Sequence, residues 1–357
     1  MTLKDEVSQR HLPDLLRLLD GRTVNTAELW QQRREEIAGI LSGEFAGYPT
    51  RLRVSTEKKV MRCEKDSYGG KAMTEHCLLI IRSDFSEAAF PFTLTIPKGK
   101  NPAPFFVYLA FTPSPADGIG EEIVDAGYAL ASVCYQDIAA DYFDNHMTGL
   151  GRFCTRNPYD SWGKLRIWSW AASRILDGLT GDERLDFERA AVMGHSRLGK
   201  TALLAGAFDE RFALTVSCQS GAGGAALFRG KTGERIENLR GEGSRLWFDG
   251  NFFQHSEETL PFDQHFLLAM TAPRYLYVTS ASEDNWADPK SEFLSCIAAS
   301  EAFELLGTEG LRHGGEFPET GTCLHEGHIG YSLRRGTHYL SRDDWKNVIA
   351  YREKHMI

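Results

Sequence analysis

The pattern of apolar and polar residues along the chain changes near residue 100. The first part is polar, with apolar residues at helical spacing in Leu15–Leu19, at Leu29 and in Ile37–Leu41. Apolar and polar residues then alternate in His76–Arg82 and Pro91–Ile96, as they do in strands with one buried face. We therefore expect residues 1–100 to form an N-terminal accessory segment, helices first and strands after them, packed on a core.

Residues 101–357 show apolar runs of strand length in alternation with helical stretches. The predicted strands are Phe105–Phe111, Tyr128–Tyr135, Ala190–Met193, Phe212–Cys218 and Tyr275–Thr279. The predicted helices are Ser161–Leu179, Lys200–Phe208, Pro289–Leu306 and Arg342–Lys354. This alternation predicts α/β architecture, a mostly parallel sheet covered by helices on both faces. No Pro-, Ser- or Gly-rich linker interrupts it, so we expect one elaborated domain, with its site at the carboxyl ends of the strands.

Two helix starts have recognisable caps in the sequence. Asp288 precedes Pro289 and should cap the helix that begins there, and Asp160 should cap the helix from Trp162.

Composition and charge restrict the partners of the chain. With 42% hydrophobic and 25% charged residues it can bury a large core under a polar surface, which excludes a disordered chain. Asp and Glu (49) outnumber Lys and Arg (40) and give a formal net charge of -9. Nucleic acid and anionic membranes are therefore not expected partners, and the longest apolar runs are too short to cross a bilayer.

Seven scattered cysteines without a C-x-x-C pair predict buried, reduced thiols rather than a disulfide framework or a zinc ribbon. The first residues, Met1 to Val7, lack the basic and apolar parts of a secretory signal. We expect a cytoplasmic protein, although a secreted chain trimmed of its leader would begin in the same way.

Residues 190–200, AAVMGHSRLGK, place a serine between an apolar strand and a helix of small residues. This is the layout of a nucleophile elbow. Its sharp turn needs Gly194 and Gly199 where strand and helix come close, and it points the amide of Arg197 at the position of an oxyanion. The usual spacing is G-x-S-x-G, whereas here the second glycine comes one residue later. Ser196 is the candidate nucleophile.

A serine nucleophile needs a base and an acid, and hydrolases with such an elbow carry them in the order serine, acid, histidine. His338 lies in Gly336-Thr337-His338, after a strand-like stretch and before the last helix, and is the predicted base. Asp284 follows the strand Tyr275–Thr279 and is the predicted acid, with its neighbour Glu283 as the alternative.

His325 and His328 form an H-x-x-H pair that could bind a metal ion. No further ligand stands at a convincing spacing, so we interpret both as histidines of a surface loop. A metallohydrolase built on this pair is the alternative to the serine mechanism, which needs no metal or organic cofactor.

The sequence around Ser196 resembles a known family. Gly194–Lys200, GHSRLGK, is similar to the G-C-S-R-x-G-K signature of the glucuronoyl esterases, carbohydrate esterase family fifteen, particularly its bacterial members with histidine in the second place. The likeness continues in residues 206–212, 220–225, 246–252, 260–265, 272–274 and 286–289. It implies an α/β-hydrolase fold and a serine carboxylic ester hydrolase.

The resemblance also implies roles for single residues. Ser196 matches the nucleophile, His338 the base, and Arg197 the residue whose amide and guanidinium serve the oxyanion. Lys200, Glu234 and Trp286 resemble the positions that hold a glucuronate ring by its hydroxyls and its flat face.

At one position this chain departs from the family pattern. Many members have the catalytic glutamate just before the S-G-x-G-G segment, where this chain has Gln219, which cannot carry a negative charge. The acid role should therefore fall to Asp284, the alternative position used by some bacterial members. We also expect a glutamate introduced at position 219 to rescue an Asp284→Asn variant in part, because either position could face the same histidine nitrogen.

The activity that the resemblance implies is the hydrolysis of esters of glucuronic or 4-O-methylglucuronic acid with lignin-type or small alcohols, by acylation of Ser196 and deacylation by water. The substrate would be a small molecule or an oligosaccharide that carries such an ester. Two alternatives stay open: an acetyl esterase acting on xylan-derived sugars, and a carbohydrate-binding relative without activity, which Gln219 could indicate.

Overall fold

The structure, a computed structural model, describes residues 2–99, 102–113, 119–142, 145–154, 157 and 159–357. The strands are β1 (Ser55–Asp66), β2 (Ala72–Arg82), β3 (Glu87–Pro97), β4 (Ala103–Ala110), β5 (Ala129–Cys134), β6 (Leu185–His195), β7 (Leu214–Cys218), β8 (Tyr275–Ala281), β9 (Cys323–Leu324) and β10 (Ile329–Arg334). The helices are α1 (Leu3–Ser8), α2 (Ala27–Glu44), α3 (Ser67–Gly70), α4 (Ile119–Asp125), α5 (Tyr135–Ile138), α6 (Lys164–Leu179), α7 (Arg197–Phe208), α8 (Ile236–Leu239), α9 (Gln264–Ala269), α10 (Pro289–Leu305) and α11 (Arg342–His355).

All the strands of the described residues belong to one sheet, in the order β1-β2-β3-β5-β4-β6-β7-β8-β10-β9. From β5 to β10 the neighbours are parallel, whereas β1, β2, β3 and β9 are antiparallel to theirs. The parallel part forms because strands alternate with crossover helices along the chain. The α/β-hydrolase fold predicted from the sequence is confirmed.

Apolar residues of β4 point alternately to the two faces of the sheet, and each face is covered by helices. Phe105 and Val107 belong to the larger core, with residues of α2, α6, α7, α9 and α10. Phe106 and Tyr108 belong to a smaller core on the opposite face, with residues of α4 and α11. Both faces are buried, as a parallel sheet requires, and the carboxyl ends of the strands are left for the loops that carry polar residues.

The accessory segment continues the sheet. Strand β3 pairs with β5, with Thr93 opposite Ser132, so β1–β3 extend the same layer. The boundary expected between residues 100 and 101 lies outside the described residues, and the division of the chain at that point stays a prediction.

Two local predictions are wrong. Leu15–Leu19 is not helical, although Leu15 and Leu18 are buried. The guanidinium of Arg33 donates hydrogen bonds to the carbonyls of Asp14 and Leu15, at 3.0 Å each. These bonds stabilise an irregular backbone. Asp160 does not cap a helix, because α6 begins only at Lys164, with Gly163 as its N-cap.

The segment before α6 is instead held extended by backbone bonds, among them Tyr48 N to the Asp160 carbonyl at 2.8 Å. The other predicted cap is confirmed, since Asp288 accepts the Ser291 amide at 3.1 Å. No helix in the described part of the chain combines the length and the apolar character needed to cross a membrane.

Candidate active site

Ser196 lies in a strained turn between β6 and α7. Its φ of 57° and ψ of -127° are unfavourable for a residue with a side chain, and its amide is fixed to the Cys218 carbonyl at 2.8 Å. A Cβ at Gly194 would lie 2.1 Å from the Leu198 carbonyl oxygen, and one at Gly199 would lie 3.0 Å from the Ser220 Cβ. Gly194 is therefore required by the turn that places the serine hydroxyl at the start of α7, and at Gly199 little room is left for a side chain beside Ser220.

The structure brings Ser196, His338 and Asp284 into one chain of hydrogen bonds. His338 Nε2 lies 2.8 Å from Ser196 Oγ, and His338 Nδ1 lies 2.6 Å from Asp284 Oδ2. Since the carboxylate can only accept, Nδ1 donates to it, which leaves Nε2 free to accept the serine proton. Glu283, the alternative acid, is exposed, and its amide bonds the Gly336 carbonyl at 2.9 Å.

Asp284 is kept ionised by its histidine. Burial, the largest single influence, raises the pKa of this carboxyl, but the hydrogen bond and the charge of His338 together with the Ala287 amide and His195 outweigh it, so the pKa lies below its usual value. On the other side of His338 lies the ring of His195, 4.8 Å away between centroids. Burial, and then the proximity of His338, lower the pKa of His195 to about 3, so His195 is neutral and places no charge beside the base.

Gln219 does not face the histidine. Its side-chain nitrogen donates to Thr279 Oγ1 at 2.7 Å and to Asp344 Oδ1 at 3.0 Å, and its side chain is fully buried. A glutamate here would set a second carboxylate against Asp344, which is unfavourable at that distance. The expectation that such a glutamate would rescue an Asp284 variant therefore has no support in this geometry.

Arg197 is oriented by two residues that the sequence reasoning missed. Its Nη1 bonds Asp141 Oδ2 at 2.7 Å, and its guanidinium lies 4.5 Å from the centre of the Trp247 ring. Trp247 Nε1 donates to the other oxygen of Asp141 at 2.9 Å. Trp247 falls inside one of the family-like segments, whereas no sequence signal marks Asp141, which lies 56 residues before its partner.

Lys200, Glu234 and Trp286 lie close to one another. Lys200 Nζ is buried and bonds the carbonyls of Ser220 and Ala222 and, at 3.0 Å, Glu234 Oε2. The Glu234 amide bonds the Trp286 carbonyl at 3.0 Å, so these two residues are adjacent. Because three acceptors already surround the ammonium group, Lys200 orients Glu234. Trp286 is 51% exposed, so its ring is available to a ligand.

A cleft of about 830 Å³ opens on Ser196. Its lining contains the serine, Arg197 and His338 but not Lys200, Glu234 or Trp286. The rest of the wall is mainly aromatic and aliphatic: Tyr108, Phe111, Ile119, Tyr339, Leu340 and Trp345. The reactive hydroxyl therefore opens on a largely apolar cleft, and the Lys200–Glu234 pair and Trp286 lie outside the lining of that cleft.

The H-x-x-H pair lies apart from this site and makes other contacts. His325 Nε2 bonds the Tyr277 hydroxyl at 2.7 Å, and His328 Nδ1 bonds the Pro273 carbonyl at 2.6 Å while its ring stacks on Tyr275. Among the residues that the structure describes, no three His, Cys, Asp or Glu side chains gather as metal ligands would.

Comparison with known proteins gives similarities along most of the chain. The sequence profile of the family described as "Glucuronyl esterase, fungi" matches residues 80–307. A carbohydrate esterase from an unidentified prokaryote is 31% identical, over 98% of this chain and 91% of that protein. The 4-O-methyl-glucuronoyl methylesterase of Schizophyllum commune is 29% identical, over 84% of this chain and 75% of that protein.

Solved structures show the same similarity in three dimensions. A glucuronoyl esterase from Solibacter usitatus superposes with a TM-score of 0.87 at 32% identity, and the match covers 96% of this chain and 97% of that one.

Proposed function

Because the chain belongs to the glucuronoyl esterase family, whose members are carboxylic ester hydrolases, we propose that it cleaves esters of glucuronic or 4-O-methylglucuronic acid through an acyl-enzyme on Ser196. The observation that carries the proposal is the hydrogen-bond chain from Ser196 through His338 to Asp284, with links of 2.8 and 2.6 Å. Family relatives named for that activity supply the substrate class.

The proposed mechanism has two halves. His338 Nε2 takes the Ser196 proton while Oγ attacks the ester carbonyl, and the charged imidazole is stabilised by Asp284. The carbonyl oxygen becomes an oxyanion that the amide and guanidinium of Arg197 stabilise. His338 then returns the proton to the departing alcohol oxygen. A water molecule, deprotonated by the same histidine, attacks the acyl-enzyme and releases the uronic acid and the serine.

Glu234 and Trp286 support a sugar as the acyl group. A carboxylate fixed by a buried lysine can accept hydrogen bonds from ring hydroxyls, and an exposed indole offers a flat apolar face to the ring. An acetyl group has neither ring hydroxyls for the carboxylate nor a ring face for the indole. No feature of the site specifically favours the acetyl esterase alternative.

The cleft beside Ser196 supports an alcohol with a sizeable apolar part. Its aromatic and aliphatic wall is in direct contact with the space next to the serine, and apolar surface removed from water there contributes to binding. The acyl part and the alcohol part of the substrate would then be recognised by different residues.

A panel of esters tests the proposal, using methyl glucuronate, methyl galacturonate, benzyl glucuronate, acetylated xylan and p-nitrophenyl acetate. We expect the glucuronate esters to give the highest kcat/KM. Ser196→Ala and His338→Ala should each abolish the activity, and a fluorophosphonate should label the wild type at Ser196. His325→Ala and His328→Ala are the matched controls and should be mild, with no effect of a chelator. Ser196→Ala with near wild-type activity would refute the mechanism, and a preference for acetylated xylan would refute the substrate.

A further inference from the structure

The loop that carries His338 is held by one buried arginine. Arg334, the last residue of β10, is 4% exposed. Its Nη1 donates to the Arg335 carbonyl at 3.0 Å, and its Nη2 donates to the carbonyls of Thr337, at 3.1 Å, and of Tyr339. The guanidinium thus bonds the backbone on both sides of His338. Its Cζ also lies 4.2 Å from the centre of the Tyr339 ring, which belongs to the cleft wall.

The arginine is itself fixed by a carboxylate. Arg334 Nε bonds Asp344 Oδ2 at 2.7 Å, and Asp344 is fully buried in the first turn of α11. The same carboxylate accepts the amide and hydroxyl of Ser341, at 2.8 Å each. Arg334, and with it the loop that carries His338, is therefore anchored to the start of a fourteen-residue helix.

The network ends beside the nucleophile. Asp344 Oδ1 accepts the Gln219 amide nitrogen, and the residue before Gln219 is Cys218, whose carbonyl fixes the Ser196 amide. A neutral amide at position 219 suits this place, since it donates to Asp344 where a carboxylate would repel it. The loop that carries His338 and the turn that carries Ser196 are therefore both connected to the Asp344 carboxylate, the loop through Arg334 and the turn through Gln219.

We infer that Arg334, anchored by Asp344 and Gln219, is a positioning residue that sets His338 Nε2 against Ser196 Oγ. This inference rests on the proposed role of His338 as the base. Proton transfer depends steeply on the placement of the base, and a displacement of about 1 Å can cost on the order of a hundredfold in rate. Arg334 touches neither reacting atom, so its effect should fall on the rate of the chemical step and not on substrate binding.

Arg334→Lys tests the inference, because lysine keeps the charge next to Asp344 but loses the planar fork that spans the loop carbonyls. We expect kcat for methyl glucuronate to fall by about tenfold or more with KM changed by less than about twofold. The rate of Ser196 labelling by a fluorophosphonate should fall in parallel, since that reaction also needs the aligned base.

Arg352→Lys is the matched control. Arg352 is equally buried and likewise donates to backbone carbonyls, those of Phe105, Arg189 and Ile357, at the opposite ends of the strands. Its loss should lower the melting temperature but leave kcat of the folded protein within about twofold. Asp344→Asn, which keeps the side-chain shape, is a second test if Arg334→Lys does not fold, and should lower kcat in the same way.

Arg334→Lys with kcat within about twofold of wild type, or a loss of kcat equal to that of Arg352→Lys, would overturn the inference. These results are separate from the fate of the proposed function, because Ser196→Ala decides that independently. If Ser196→Ala is inactive and Arg334→Lys is fully active, the positioning role of Arg334 is rejected and the proposed function is not.

Discussion

Asp284 is the residue on which the proposed chemistry can be tested most sharply. Asp284→Asn keeps the shape of the side chain but removes the charge that stabilises the imidazolium, and it permits the wrong histidine tautomer. We expect kcat to fall by on the order of a thousandfold or more, measured on methyl glucuronate. Glu283→Gln and Gln219→Ala should each cost less than about tenfold. If Glu283→Gln were inactive and Asp284→Asn active, Glu283 would be the acid of the triad.

Gln219 changes one expectation derived from the sequence. In the double variant Asp284→Asn, Gln219→Glu the new carboxylate would meet Asp344 and not His338. We therefore expect no recovery of kcat over Asp284→Asn alone, together with a lower melting temperature. A recovery of tenfold or more would show that the side chain at 219 can turn toward the histidine.

Trp286 and Glu234 are the residues proposed to select the acyl group of the ester. Trp286→Ala and Glu234→Gln should raise KM for glucuronate esters several times more than for p-nitrophenyl acetate, because a small acetate makes no ring contacts. Kinetics on both esters with the same enzyme preparation are the measurement. Equal losses on the two esters would mean that both residues support the fold or the serine turn.

The sequence was sufficient for the residues that a local motif or chain order marks. Ser196 follows from the glycine-flanked turn, and His338 and Asp284 follow from their positions after strands. Asp141 and Asp344 could not be found in this way. Asp141 lies in a loop and meets Arg197, 56 residues further along the chain, only through tertiary packing. Asp344 stands in the first turn of α11, where an acidic residue is typical of any helix start, so the sequence does not indicate its bond to Arg334.

Helices and strands differ in how far the sequence determined them. The parallel strands β4 to β8 were predicted because continuous apolar runs bounded by polar turns are typical of strands buried on both faces. The leucines of Leu15–Leu19 have helical spacing as well, yet Arg33 on α2 donates to the carbonyls of Asp14 and Leu15, at the start of this segment. A tertiary hydrogen bond there replaces the helical one, and spacing alone cannot indicate this.

The contact between α7 and β7 allows an element-scale prediction. A Cβ at Gly206 would lie 1.8 Å from Thr215 Oγ1, whereas a Cβ at Gly39, in α2, meets nothing within 4 Å. Gly206→Ala should lower the free energy of unfolding by about 2 kcal/mol or more, since the helix must move off the sheet. Gly39→Ala should raise it by up to about 1 kcal/mol through helix propensity.

Urea unfolding of the two variants measures both effects. If Gly206→Ala were as stable as Gly39→Ala, α7 would be able to shift on β7 without a cost in free energy, and the prediction would be wrong.

For the whole molecule, a buried carboxyl couples stability to pH. Burial raises the pKa of Glu292 to about 7, against the hydrogen bonds it accepts from Ser280 and from the Gly221 amide. The unfolded state ionises from about pH 4.5, whereas the folded state keeps the proton up to about pH 7. Between these values the folded state binds more protons, so this group makes the protein less stable as pH rises.

Glu292→Gln removes that titration and imitates the protonated acid. We expect the stability of the variant relative to wild type to increase from pH 5 to pH 8, measured by denaturant unfolding at both pH values. Comparing the two proteins at each pH cancels the contributions of other groups, such as the buried histidines, which act in the opposite direction. A difference that is constant with pH would show that Glu292 ionises normally in the folded protein.

The segment from Cys218 to Ala222 has a consequence for changing the specificity of the enzyme. Its first carbonyl fixes the Ser196 amide, and two later carbonyls hold Lys200, which orients Glu234. Substitutions in this segment that move Lys200 and Glu234 therefore also move Ser196. We expect them to lower kcat whenever they change which acyl group is preferred. Ile119 in the cleft wall lies on α4, outside this segment and outside the loop that carries His338. Substitutions at this wall position can explore new leaving groups while the catalytic machinery is preserved.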